Sequence, residues 1–325
     1  MRKYNEWDFL KCAATLLVVI GHITILYKEG GSFPQLENEL LSKITDVIYL
    51  FHMPLFMAIS GAIFAIGKQS GKYKEFRQFT SNKAKRLLIP YYFTAIIFLF
   101  PTILLLHMHN SENNLEYFTK ILIGIDCRHL WFLWALFDIF IISFFCKNKE
   151  INHPLICLFL SITFSLANSY NNKISIFCIS MAIHYLPYFF IGEWLSTGKI
   201  NDKHKFKITL YIIAISGCII KLNDIGWIDM LFSIILNGGI IIFISSCTKL
   251  FFKEQYLHNP IVNLFLRNSF PIYLFHVPII YISIYFLQNL PTFILLPVVF
   301  TSALVGSIMI ATIVRKINLH KLIGE

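Results

Sequence analysis

The chain has 325 residues, of which 56% are hydrophobic and only 14% charged, with a mean hydropathy of +0.65 and a formal net charge of +10. Soluble domains carry about a quarter charged residues, so this composition excludes a soluble enzyme and identifies a polytopic all-α membrane protein embedded in a lipid bilayer. The positive excess collects in alternate loops, so membrane topology accounts for it and no nucleic-acid partner is expected.

The first apolar stretch, DFLKCAATLLVVIGHITILY, runs from Asp8 to Tyr27 and suits a membrane-spanning helix. It carries Asp8, Lys11, Thr15 and His22. At 3.6 residues per turn these four lie within about 60° of one another and form one polar stripe. Lys11 and His22 are separated by about 16 Å along the axis. A charge facing lipid at mid-bilayer costs roughly 2.5–3.5 kcal/mol, so the stripe should face protein or a water-filled cleft. Asp8 and Lys11 also interrupt any signal-peptide pattern, and no small-residue cleavage site follows, so this span is expected to be retained.

Ten apolar spans can be read, at about 8–27, 47–66, 87–106, 130–146, 154–170, 179–196, 207–221, 228–246, 269–287 and 291–313. With these spans, 21 Lys and Arg residues fall on one side and six on the other, with Lys11 inside the first span. The asymmetry predicts both termini in the cytoplasm and places Lys11 near the inner end of helix 1 and His22 in its outer third.

The second span, YLFHMPLFMAISGAIFA, holds His52 near its outer end, together with Pro54 and Gly61. The basic loop after it ends in NKAKRLLIPYYF, where Lys83 and Arg86 share a helical face at the inner boundary; basic residues there also satisfy the topology rule. The outer loop at 107–129 contains His107, His109, Asp126, Arg128 and His129, and we read the His107/His109 pair as solvated. Trp131 and Trp134 follow in HLWFLWALF, where an interfacial aromatic belt is the ordinary expectation. Glu193 stands near the inner end of its helix, where a carboxylate costs little, and His276 follows Pro271 in RNSFPIYLFHVPIIYI. Seven scattered Cys (12, 127, 146, 157, 178, 218 and 247) form no CxxC motif, and no paired His/Cys spacing occurs, which predicts neither a disulfide framework nor a metal site. The tail is short and basic, so residues 1–325 read as a single integral-membrane domain without an appended one.

DFLK with GH eleven residues after its Lys, then FHMPLFMAISG, KRLLIP, HLWFL and NSFPIYLFH occur in this order. Together they resemble the acyltransferase 3 family of integral-membrane acyltransferases, and most of all its fucose 4-O-acetylase-like branch of sugar O-acetyltransferases. The resemblance covers nearly the whole chain. It implies a multi-pass protein of the cell (cytoplasmic) membrane that moves an acetyl group from cytoplasmic acetyl-CoA to a hydroxyl of a cell-surface or lipid-linked glycan. Acetyl-CoA would be a co-substrate, and no metal is implied. His22 matches the family's essential histidine of helix 1, Lys11 stands where many members have an arginine, and Lys83 and Arg86 match a basic pair implicated in acyl-CoA handling. Lys11 and Lys83 depart from the commoner arginine, and a lysine meets phosphate as a point charge without the bidentate fork.

Acetyl transfer to a sugar hydroxyl needs a base, and neutral imidazole is the usual one near pH 7. His22, Lys11 and Asp8 are therefore the catalytic candidates, with Lys83 and Arg86 expected to hold coenzyme phosphates. His52, Trp131 and His276 are candidates for contact with the acceptor. Asp8 lies about 21 Å from His22 along the helix, so its expected partner is Lys11 one turn away. A transporter or flippase for polysaccharide precursors is the competing reading, since bent helices with intramembrane charges serve that purpose too.

Overall fold

The computed structural model describes residues 6–30, 33–108, 113–146, 154–170, 176–196, 226–253 and 259–325, and it is all-helical over them. Helix α1 (Glu6–Thr24) opens with Glu6 and Asp8 in its first turn, where the N-terminal end of the helix dipole favours negative charge. Helix α2 (Glu39–Gln69) follows, then α3 (Phe76–Thr94), which passes through a π-type segment at Ala95–Leu99 into α4 (Phe100–Leu105). Pro90 inside α3 removes the amide that Arg86 would bond, one of the known causes of helix bending. The short α5 (Asn114–Leu122) is capped by the Asn113 side chain, which accepts from the Glu116 amide at 2.6 Å. Next come α6 (Trp131–Phe145), α7 (Pro154–Tyr170), α8 (Ile179–Ser196) and α9 (Gly226–Phe251). The chain closes with α10 (Pro260–Leu287), α11 (Thr292–Lys316) and a 3-10 turn at His320–Ile323.

Eight helices among the described residues are long and apolar enough to cross a membrane, which makes the protein a polytopic helical membrane protein. Of the ten expected spans, the one at 154–170 corresponds to α7, whose 17 residues fall just short of that length. The span at 207–221, like His109, lies outside the described residues. Two helices begin earlier than hydropathy suggests, α2 at Glu39 and α10 at Pro260, because both carry a polar first turn or two that an apolar window misses.

The helices group into two compact units. Unit 1 comprises residues 1–11, 51–80 and 138–263. Within it α7 packs on α8, and α9 packs against both. The lower half of α2 and α8 meet backbone to backbone. A Cβ at Gly61 would lie 1.9 Å from the Phe189 carbonyl oxygen, and one at Gly192 would lie 1.8 Å from that of Ala58. Two reciprocal glycines thus permit a crossing that no other residue allows, the small-residue packing by which helices associate in lipid. Phe64 closes the same interface with Tyr73, Phe79, Phe140 and Phe189 at ring-centroid distances of 5.1–6.1 Å.

Unit 2 comprises residues 12–50, 81–137 and 264–325. Its core joins Val19, Ile23 and Tyr27 of the first span to Ile272, Ile280 and Ile284 of α10 and Leu295, Val299 and Ala303 of α11. The C-terminal turn is tied in as well. Arg315 donates to both carboxylate oxygens of Glu325, at 2.9 and 2.5 Å, and to the buried Asn268 at 2.8 Å.

Candidate active site

Three histidines of unit 2 form one cluster. The ring centroids of His22 (α1) and His276 (α10) are 4.9 Å apart, those of His276 and His129 5.1 Å, and those of His22 and His129 6.1 Å. His276 is fully buried, His129 is buried, and His22 is half-buried.

Their hydrogen bonds fix the tautomers, because a carbonyl oxygen only accepts and the nitrogen facing it must carry the hydrogen. His22 Nδ1 lies 2.9 Å from the Val18 carbonyl, so its Nε2 holds a lone pair. His276 Nδ1 lies 2.8 and 3.0 Å from the Tyr273 and Ile272 carbonyls, so its Nε2 is the basic nitrogen. That Nε2 faces the protonated Nδ1 of His22 at 3.4 Å. His129 Nε2 donates to the Leu274 carbonyl at 3.0 Å, and its Nδ1 is buried without a hydrogen-bond partner. Each ring therefore keeps one basic nitrogen, and His276 backs His22 in the way that second partners orient catalytic imidazoles.

Local backbone explains how each ring arrives. Arg128 adopts a left-handed φ of 48°, strained for a residue with a side chain, in the turn that Leu130 closes with a 2.9 Å bond to the Cys127 carbonyl. This turn sends His129 into the core, where the Tyr273 hydroxyl donates to its carbonyl at 2.5 Å. On α1, a Cβ at Gly21, next to His22, would make tight contacts of 3.0 Å with Ile48 and 3.3 Å with the Tyr49 ring. The glycine lets Tyr49 lie against the helix with its ring 6.1 Å from that of His22. In α5, burial raises the Tyr117 hydroxyl above its ordinary range, so it stays neutral.

The other expected site residues fall as follows. Asp8, Lys11, Thr15 and His22 lie on one continuous helix, with Asp8 and Thr15 buried and Lys11 half-buried. Asp8 and Lys11 belong to unit 1 and His22 to unit 2. His52 is buried in unit 1. Lys83 and Arg86 stand one turn apart on α3 in unit 2, half-buried and exposed. Trp131 opens α6 two residues after His129, half-buried, with its ring 6.3 Å from that of Phe132. His107 is exposed, as expected of a solvated residue. Glu193, expected at an inexpensive interfacial depth, is instead buried and bonded to Lys68 at 3.0 Å. His129, assigned from sequence to the outer loop, is part of the histidine cluster. The available signal was its place at the head of HLWFL, directly before an aromatic-rich helix. Among the described residues, no group of three or more His, Cys, Asp or Glu has a metal-holding arrangement.

This all-helical chain, with a histidine cluster in its second unit, matches the acyltransferase 3 family, described as an acyltransferase domain, over residues 4–315. The chain belongs to this family. It is similar to two proteins named nodulation protein NolL, one from Sinorhizobium fredii and one from Mesorhizobium japonicum. Each is 33% identical over 142 residues, which is 42% of this chain and 35% or 34% of the relative, so the match spans about a third of the relatives' length. No solved structure matches the chain.

Proposed function

We propose that this protein is an O-acetyltransferase of the fucose 4-O-acetylase-like branch. Its donor is acetyl-CoA from the cytoplasm, and its acceptor is a hydroxyl of a cell-surface or lipid-linked glycan. The observation that carries the reading is the half-buried His22, whose basic Nε2 is set by the Val18 carbonyl and backed by His276. His22 Nε2 takes the proton of the acceptor hydroxyl as its oxygen attacks the thioester carbonyl. The C–O bond forms, the C–S bond breaks, and the departing CoA thiolate recovers the proton. His276 Nε2, accepting from His22 Nδ1–H, supports the imidazolium in between. A positioned base of this kind contributes about 10²–10⁴-fold.

Lys83 and Arg86 are assigned to the coenzyme phosphates, and Asp8 and Lys11 to the inner part of the α1 stripe. The 21-to-six charge asymmetry supports a cytoplasmic-membrane location with both termini inside. Reporter fusions in the 67–86 loop and at the C-terminus should both report cytoplasm, and an external signal from either contradicts that topology.

The test of function uses purified protein in nanodiscs with radiolabelled acetyl-CoA and a soluble glycoside. The expected result is protein-dependent appearance of label on sugar oxygen. Vesicles that move a lipid-linked sugar without consuming acetyl-CoA would instead establish a transporter.

A further inference from the structure

We infer that the turn at residues 320–325 is a positioning element for Arg86, with Gly324 as its seat and the Arg315–Glu325 pair as its clasp. The inference rests on the acetyltransfer reading, in which Arg86 meets coenzyme phosphates, and adds what holds that residue in place.

All the parts lie in unit 2. Pro90 leaves the Arg86 carbonyl without its helical amide. Gly324 is packed at that carbonyl: a Cβ on it would lie 2.8 Å from the Arg86 oxygen and 2.6 Å from the Phe270 ring. Its φ of +75° is left-handed, a conformation that glycine adopts without strain. The position therefore calls for glycine on two independent grounds. Ile323 beside it is fully buried and anchors the turn. The clasp is equally specific. Arg315, at the end of α11, donates through Nε and Nη2 to the two carboxylate oxygens of Glu325 and through Nη1 to Asn268 Oδ1. Asn268 is itself buried and donates to the Leu264 carbonyl at 2.8 Å. The planar guanidinium thus ties Glu325 to α10 in a fork that a lysine could not reproduce.

Ordinary capping of α11 does not require these contacts. Asn318, at a left-handed φ of 59°, and the 3.0 Å bond from the Leu319 amide to the Val314 carbonyl already close the helix in a Schellman arrangement. Residues 320–325 instead return to α3 and press on the backbone of the residue assigned to the coenzyme. The Arg86 side chain is exposed, and a long exposed side chain loses rotamer freedom when it binds a ligand. A fixed backbone beneath it lowers the total cost of ordering.

The test compares Gly324→Ala and Glu325→Ala with the parent protein, each alone and combined with Arg86→Gln. Glu325→Ala creates no overlap and covers the case where Gly324→Ala does not fold. Each turn variant should raise KM for acetyl-CoA by about fivefold, part of the roughly tenfold that one charge-assisted hydrogen bond is worth, while kcat, acceptor KM and folded yield stay within about twofold. On the Arg86→Gln background neither should add a further rise, because the turn acts through Arg86. If Arg86→Gln raises this KM and the turn variants leave it unchanged, add to it, or lower kcat and yield instead, the inference is overturned. If Arg86→Gln leaves KM unchanged, or the parent transfers no acetyl group, the coenzyme reading fails and hydrogen exchange decides the positioning role. The α3 amides around Arg86 should then exchange faster in both turn variants than in the parent, and unchanged exchange overturns the inference.

Discussion

Unit 1 and unit 2 both bury ionisable side chains among membrane helices, and they treat them differently. In unit 1, Lys68 and Glu193 satisfy one another at 3.0 Å, and Glu193 directly follows Gly192, which presses on the α2 backbone. In unit 2, the three histidines spend one nitrogen each on a backbone carbonyl; the second nitrogen of His276 faces His22 Nδ1, while His129 Nδ1 has no hydrogen-bond partner. A buried ionisable group in a membrane helix is by default a functional-site candidate. The comparison refines that rule: the informative feature is unspent hydrogen-bonding capacity, and a neutralised pair beside a glycine crossing reads as architecture.

The comparison can be broken at several points. The largest effect is expected at Gly192. Its Cβ would overlap the Ala58 carbonyl, so Gly192→Ala should leave no monodisperse protein on size-exclusion chromatography. Recovery of a folded variant would show that the two helices do not cross as described. His276→Leu comes next, removing the acceptor behind His22. It should lower kcat by at least about tenfold while KM for acetyl-CoA and folded yield hold steady. A parallel loss of yield would make His276 a packing residue.

The ion pair of unit 1 should behave in the opposite way. Lys68→Met alone strands a buried carboxylate and should cost about 3 kcal/mol of stability, read as a lowered Tm. Lys68→Met combined with Glu193→Leu should regain most of it, with kcat per folded molecule unchanged throughout. A kcat that collapses in the folded double variant would move the pair into the chemistry. The smallest effect is expected for Lys83 and Arg86. Charge removal at both should raise KM for acetyl-CoA and flatten its dependence on salt, since exposed ion pairs are screened within about 10 Å at 0.1 M. A KM that ignores both changes would leave the pair as a topology signal.

The all-helical class and the polar stripe of the first helix were legible because helical periodicity is local and 3.6 residues per turn places four polar groups on one face. Pairings between distant segments were not. Lys68 and Glu193 lie 125 positions apart, and His22 and His276 lie 254 apart. No local pattern encodes which partner a buried charge or imidazole meets. His129 was obscured for a different reason. The left-handed turn that inserts it is carried by Arg128, where a glycine would have announced it, so the segment reads as an ordinary boundary loop. The reciprocal glycines were visible only as small residues, since one glycine in a helix says nothing about the backbone that approaches it.

The central claim is that His22 removes the proton of the acceptor hydroxyl. It is tested most directly by the rate of acetyl transfer from acetyl-CoA in His22→Gln at matched protein amounts. Glutamine roughly keeps the size and hydrogen bonding of the side chain but cannot take a proton at neutral pH. The account predicts normal insertion and folding with a rate at least about 10²-fold lower. Near-native transfer by the glutamine variant would contradict it and remove His22 from the mechanism.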